Sequence, residues 1–222
     1  VSKATGVPWA KIAAKVMAGK SLSELKVTEI PDPDHVSVKE VVFPFSKFPG
    51  VDVILGPEMR STGEVMGIDH DFPTAFAKSQ MAAGCSLPTS GMVFISVRAE
   101  DKTHIAPIAR ALVEMGFTLM ATEGTLAELR KAGVPAEAVK KLAEGRPNIK
   151  DHIKNGKIKL IINTPTKKGP TTDEGKIRAM SVTHRVPIIT TLTGASAAVR
   201  AIKAIKSDGW GVKPLQAYFK GW

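Results

Sequence analysis

The sequence predicts an α/β fold: a parallel sheet with flanking helices in the second half, preceded by a smaller and incomplete unit. Two observations predict it. From Met92 onward, short apolar runs alternate with amphipathic segments of helical length, the pattern of parallel strands joined by crossover helices. Ahead of that alternation, Cys85–Gly91 (CSLPTSG) is small, polar and proline-containing, as expected of a domain boundary. The chain is accordingly divided into residues 1–84 and residues 85–222.

In the first unit, residues 8–18 read as a helix: Pro8 suits the first turn, Ile12, Ala13, Val16 and Met17 share a face, and Gly19 follows the end. That face requires a partner. Residues 36–43 (VSVKEVVF) alternate and are rich in β-branched side chains, which predicts a strand. The proline- and glycine-rich stretch 43–57 reads as a loop. Residues 71–83 return to helix, with Asp71 as N-cap and Pro73 in the first turn.

In the second unit, strands are predicted over 92–97, 117–121, 158–162 and 187–190, with helices over 101–115, 126–132, 172–184 and 193–207. Gly116 and Gly133 close the first two of these helices. Ligands of an open parallel sheet bind at the carboxyl ends of its strands, where helix N-termini present free N–H groups. The loops at those ends carry Glu100, Asp101 and Lys102; Thr122–Thr125; Asn163–Thr166; and Thr190–Thr193. Hydroxyls, a glycine and a lysine at helix mouths suit a phosphate. Taken singly, each threonine also fits an ordinary N-cap.

Composition narrows the function classes. The chain has 222 residues, 43% hydrophobic, and no run of about eighteen apolar residues or secretory leader, so a soluble cytoplasmic protein without a membrane partner is expected. Its net charge of +10 favours an anionic partner. Nucleic acid is the rival to a small anion, but aromatics make up only 5% and none interleaves the Lys-rich stretch 140–168 to stack on bases. The single Cys85 and the five histidines show no metal-ligand spacing, so no metal site is expected. Ser196 lacks the glycine pattern of a nucleophile elbow, and Gly56, Gly63 and Gly67 match no phosphate-loop spacing and read as turn residues. The first residue is Val rather than Met, and the chain is read as a fragment.

Residues 1–20 (VSKATGVPWAKIAAKVMAGK) and 38–67, above all GPEMRSTGEVMG at 56–67, resemble the end of the second ATP-grasp unit of carbamoyl-phosphate synthetase large subunits. Residues 92–215 resemble the methylglyoxal-synthase-like regulatory domain that follows it there, through SVRAEDK, ATEGT, EGRPNI, IKNG and IINT. The resemblance implies a Rossmann-type sheet behind an incomplete ATP-grasp lobe. It also implies a part in making carbamoyl phosphate from bicarbonate, ATP and glutamine-derived ammonia for pyrimidine and arginine synthesis. Uridylate as inhibitor and inosinate as activator would bind the second unit. By position, the effector site would comprise Lys102, Thr122, Thr125, Lys141, Asn163, Thr190 and Thr191. No catalytic residue is implied for the fragment, which should be inactive alone and need no cofactor, whereas the complete ligase uses ATP and magnesium. The implied partners are the rest of the large subunit and the glutaminase small subunit, and a homo-oligomer is compatible with the sequence.

Two positions depart from the family pattern. Pro165 replaces a nucleotide-contacting threonine, and Ile188 replaces a tyrosine of an ornithine-responsive site. A stand-alone methylglyoxal synthase is the enzymatic alternative. It needs a Gly-Gly-Asp base where this chain has Gly145-Arg146-Pro147, so that chemistry is not expected.

Overall fold

The computed structural model describes residues 1–27, 29, 33–42, 63–140, 142–166, 169, 172–207 and 211–218. Two helices open the chain, α1 (Ser2–Thr5) and α2 (Trp9–Met17), separated by Gly6 in the left-handed region. The amphipathic face of α2 buries none of its residues, and Met17 is 88% exposed. An antiparallel pair follows, β1 (Val36–Val42) and β2 (Gly63–Asp69), with Val36 opposite Asp69 and Val42 opposite Gly63. The predicted loop 43–57 lies outside the described residues.

Gly63 and Gly67 belong to β2 rather than to turns, a correction to the expectation from sequence, while Gly56 lies outside the described residues. Gly67 is small for a packing reason. A Cβ there would fall 1.9 Å from the Ala75 carbonyl oxygen and 2.5 Å from the Ser79 nitrogen. Those atoms belong to α3 (Phe72–Ala82), capped by Asp71, whose carboxylate accepts from the Thr74 N–H. Glycine thus lets strand and helix backbones close on each other. α3 in turn packs on the helix over Leu192–Lys206, which covers the sheet that follows: Ala77 and Phe76 join that core.

That sheet comprises β3 (Met92–Ser96), β4 (Thr118–Ala121), β5 (Glu137–Ala138), β6 (Ile158–Asn163) and β7 (Ile188–Ile189), all parallel, in the order β5-β4-β3-β6-β7. Val93 and Ile95 face one core with α4 (Ile105–Glu114), α5 (Glu123–Lys131) and α8 (Leu192–Lys206). Phe94 faces the other, with α6 (Ile149–Lys154) and α7 (Asp173–Thr183). Burial on both faces explains why these strands are apolar runs rather than alternating ones. The α/β fold is the one expected. Among the described residues no helix is long and apolar enough to cross a membrane.

Sequence reasoning missed α1, β2, β5 and α6, and it misplaced two helix starts. The α-helix expected from Asp101 begins at Ile105, behind a 3-10 turn over Ala99–His104. Pro107 explains the delay, since only the first turn of an α-helix tolerates a residue without an N–H. α5 begins at Glu123 instead of Leu126. Glu123, Gly124 and Thr125 are therefore its first turn and not a loop.

Candidate functional site at the switch point of the sheet

From β3 the chain proceeds outward to β4 and β5, then crosses back to β6 and β7. The direction reverses between β3 and β6, so the loops leaving these two strands diverge and open a crevice at their carboxyl ends. Ser96 and Asn163 are register partners at that edge.

A polar network closes the floor of the crevice. Asn163 Nδ2 donates to the Ser96 carbonyl at 3.1 Å, and Thr122 Oγ1 donates to Ser96 Oγ at 3.2 Å. The Val97 N–H donates to Thr125 Oγ1 at 3.2 Å, and the Arg98 N–H donates to Thr164 Oγ1 at 3.0 Å. Ser96, Thr125 and Thr164 each accept inside this network, and a hydroxyl that accepts keeps its own proton to donate. Those three protons suit a ligand rich in acceptors, whereas Thr122 has spent its own on Ser96 and can offer a ligand only a lone pair.

Charge points the same way. A Cβ at Gly124 would fall 2.7 Å from Lys102 Nζ, which places the ammonium over the first turn of α5. Two positive ends meet there, a favourable place for an anion, although Glu123 in the same first turn already offsets part of the helix end. Arg98 engages the neighbouring acids, Asp101 at 2.9 Å and Glu100 at 3.5 Å. Among the described residues, no carboxylate lies within ion-pairing distance of Lys102.

The threonines divide into two kinds. Thr172 and Thr191 are ordinary N-caps, accepting from the N–H groups of Gly175 and Gly194 at 2.9 and 3.0 Å. Thr122 occupies the N-cap of α5 but makes no capping bond, because its hydroxyl is turned to Ser96. The N-terminus of α5 is left without a side-chain cap, its early N–H groups available to an anion.

Of the residues expected at the site, Lys102, Thr122, Thr125 and Asn163 are brought together by β3, β4 and β6. Thr125 and Asn163 are each only 1% exposed, so they form the floor rather than the rim. Thr190 and Thr191 lie beyond β6 at the end of β7, half-buried and exposed respectively. Lys141 lies outside the described residues. Ser96 and Thr164 complete the network; Ser96 opens the SVRAEDK segment and Thr164 stands in the loop after β6, but neither was assigned to the site from sequence.

Among the described residues no group of acids, histidines and cysteine could hold a metal. Arg146, in the Gly145-Arg146-Pro147 stretch, is paired with Asp151, four residues beyond it, its Nε 3.0 Å from Oδ1 and 3.2 Å from Oδ2. The Arg146 guanidinium, with the Asn148 N–H, holds the Asp151 carboxyl down at about 2. A carboxylate held so low is a poor proton acceptor at neutral pH.

An MGS-like domain matches residues 104–190, a span that takes in β4, β6 and the loops that follow them, while Ser96 and the β3 loop with Lys102 precede it. Over 216 residues the chain is 57% identical to the carbamoyl phosphate synthase large chain of Rhodopirellula baltica, a match covering 97% of this chain and 20% of that one. It is 55% identical to that of Archaeoglobus fulgidus and 52% to that of a Nostoc species, each over 98% of this chain and 20% of the relative. This chain belongs to the carbamoyl phosphate synthase large-chain family. It spans about a fifth of the length of the large chains it matches. A solved structure titled "Crystal structure of ForH" overlaps 52% of the chain and 80% of its own, at a TM-score of 0.37 and 17% identity, too loose a likeness to bear on function.

Proposed function

We propose that this chain is the C-terminal allosteric region of a carbamoyl phosphate synthase large chain, and that its crevice holds the phosphate of a nucleotide effector. The observation that carries this reading is Lys102, an ammonium without a carboxylate partner among the described residues, over the N-terminus of α5, which has no side-chain cap. The hydroxyl donors left by the floor network supply the matching polarity. Uridylate as inhibitor and inosinate as activator are the effectors proposed, with Lys102, Thr122, Thr125, Asn163 and Lys141 around the phosphate and Thr190–Thr191 lining the far side. Residues 1–84 are then the end of an ATP-grasp unit. The partners are the rest of the large chain and the glutaminase small subunit, and the ligase chemistry, with its ATP and magnesium, belongs to the complete enzyme. Effector binding would shift the balance between two arrangements of this region against the synthetase body.

Calorimetric titration with uridylate and inosinate tests the reading. One-to-one binding that Lys102→Ala weakens at least tenfold is expected. Thr125→Ser should retain binding, because the acceptor for the Val97 N–H is kept. No binding by a chain that unfolds cooperatively on heating would reject it.

A further inference from the structure

Arg178 has no part in the effector site implied by family resemblance, yet among the described residues it is the largest side chain wholly buried, at 0% exposure on α7. A guanidinium is charged at every relevant pH, and burying one is costly unless it is well engaged. Its Nη1 lies 3.4 Å from Asn163 Oδ1, and it makes a further contact besides. The amide of Asn163 is therefore held at both ends by groups of fixed polarity. The guanidinium can only donate, so Oδ1 faces it. The Ser96 carbonyl can only accept, so Nδ2 faces that. Through Ser96 the same chain of contacts reaches Thr122, which donates to the Ser96 hydroxyl. The Ser96 carbonyl also accepts the Thr164 N–H at 3.2 Å.

We propose that Arg178 is a positioning residue for the crevice: it locks the Asn163 amide in one orientation and thereby fixes the ends of β6 and β3, on which the hydroxyl donors stand. This rests on the reading of the crevice as an anion site. α7, which carries Arg178, follows the β6 loop and covers the face of the sheet opposite α4 and α5. Arg178 therefore ties the second core to the floor of the crevice. Without the guanidinium, Asn163 Oδ1 loses a donor within a buried network. The amide is then free to leave Ser96, and the polarity of the floor is no longer unique.

The test uses the full chain with Arg178→Met, Arg178→Lys, Asn163→Ala and the Arg178→Met/Asn163→Ala pair. Without ligand, hydrogen exchange of the Asn163 side-chain amide is followed by NMR. Slow exchange in the wild type and at least tenfold faster exchange in Arg178→Met are expected, with Arg178→Lys in between because it keeps the charge but not the planar fork. With uridylate as probe, Arg178→Met and Asn163→Ala should each weaken binding about tenfold, the usual consequence of one buried polar group losing its partner. The double variant should lose no more than either, since one residue acts through the other. A merely structural arginine would give additive losses. Unchanged amide exchange in both Arg178 variants, or additive losses in the pair, would overturn the proposal. If the wild type binds no nucleotide, the anion reading fails, while the exchange measurement still decides whether Arg178 holds Asn163. Should Arg178→Met not fold, Arg178→Lys carries both readouts.

Discussion

Replacing Gly124 with alanine separates the binding role proposed for Lys102 from its contribution to folding. Gly124 is the second residue of α5 and its backbone is not in the left-handed region, so alanine is conformationally permitted. A Cβ would stand 2.7 Å from Lys102 Nζ and 3.5 Å from Cε. Both are the far end of a flexible side chain and move easily. Displacing an ammonium from about 4 to about 6 Å from a phosphate oxygen costs about 1.4 kcal/mol at an effective dielectric of about 20, or about tenfold in Kd. The fold should not suffer, because alanine is favoured over glycine within a helix by about 0.5–1 kcal/mol. Calorimetry with uridylate and a thermal melt measure the two effects separately. Gly124→Ala is expected to bind about tenfold more weakly and to melt within about 2 °C of the wild type or above it. The Lys102→Met/Gly124→Ala pair should bind like Lys102→Met alone. A further tenfold loss in the pair would mean that the new methyl meets the ligand itself, and the reasoning through Lys102 would be refuted.

Three further outcomes follow from the packing and the titrating groups. Gly67→Ala should destabilise the chain by about 3 kcal/mol or more in urea unfolding, because the new Cβ meets backbone of α3 at 1.9 and 2.5 Å and can only push β2 away. Asp151 titrates at about 2 in the folded chain against an ordinary 3.8, so its stabilising effect is complete above about pH 4 and is lost as pH falls towards 2. Melting temperature against pH should therefore fall less steeply over that window in Asp151→Asn. Burial pushes Glu40 above the ordinary carboxyl value despite the bond from Gln80 at 2.8 Å, and an acid raised on folding loses stability as pH rises through its titration. Glu40→Gln should accordingly raise the melting temperature at pH 7 and have little effect at pH 4.

Periodicity carried most of the fold. Strands such as 92–96 and 158–163 must be apolar on both faces because helices cover both, and that requirement is written as continuous hydrophobic runs. Caps were equally legible: Asp71 ahead of Pro73 starts α3 as expected, since one short acceptor beside an uncapped N–H is a local matter. β2 was not legible, because its pairing with β1 is non-local and its glycines serve a close approach to α3. β5, two residues long, is a strand only because β4 lies alongside it.

By itself the sequence determined the alternation of strand and helix, the hydroxyl-rich loops at the carboxyl edge of the sheet, and the family. Identical threonines in similar loops could not be told apart by sequence. Tertiary structure decided that Thr191 caps α8 while Thr122 turns to Ser96 and leaves α5 open. It also decided that Lys102 overhangs that open end and that Arg178, fifteen residues from Asn163, holds it from behind. These distinctions depend on which strands are neighbours, and strand order is set by packing the whole sheet rather than by any local run of residues.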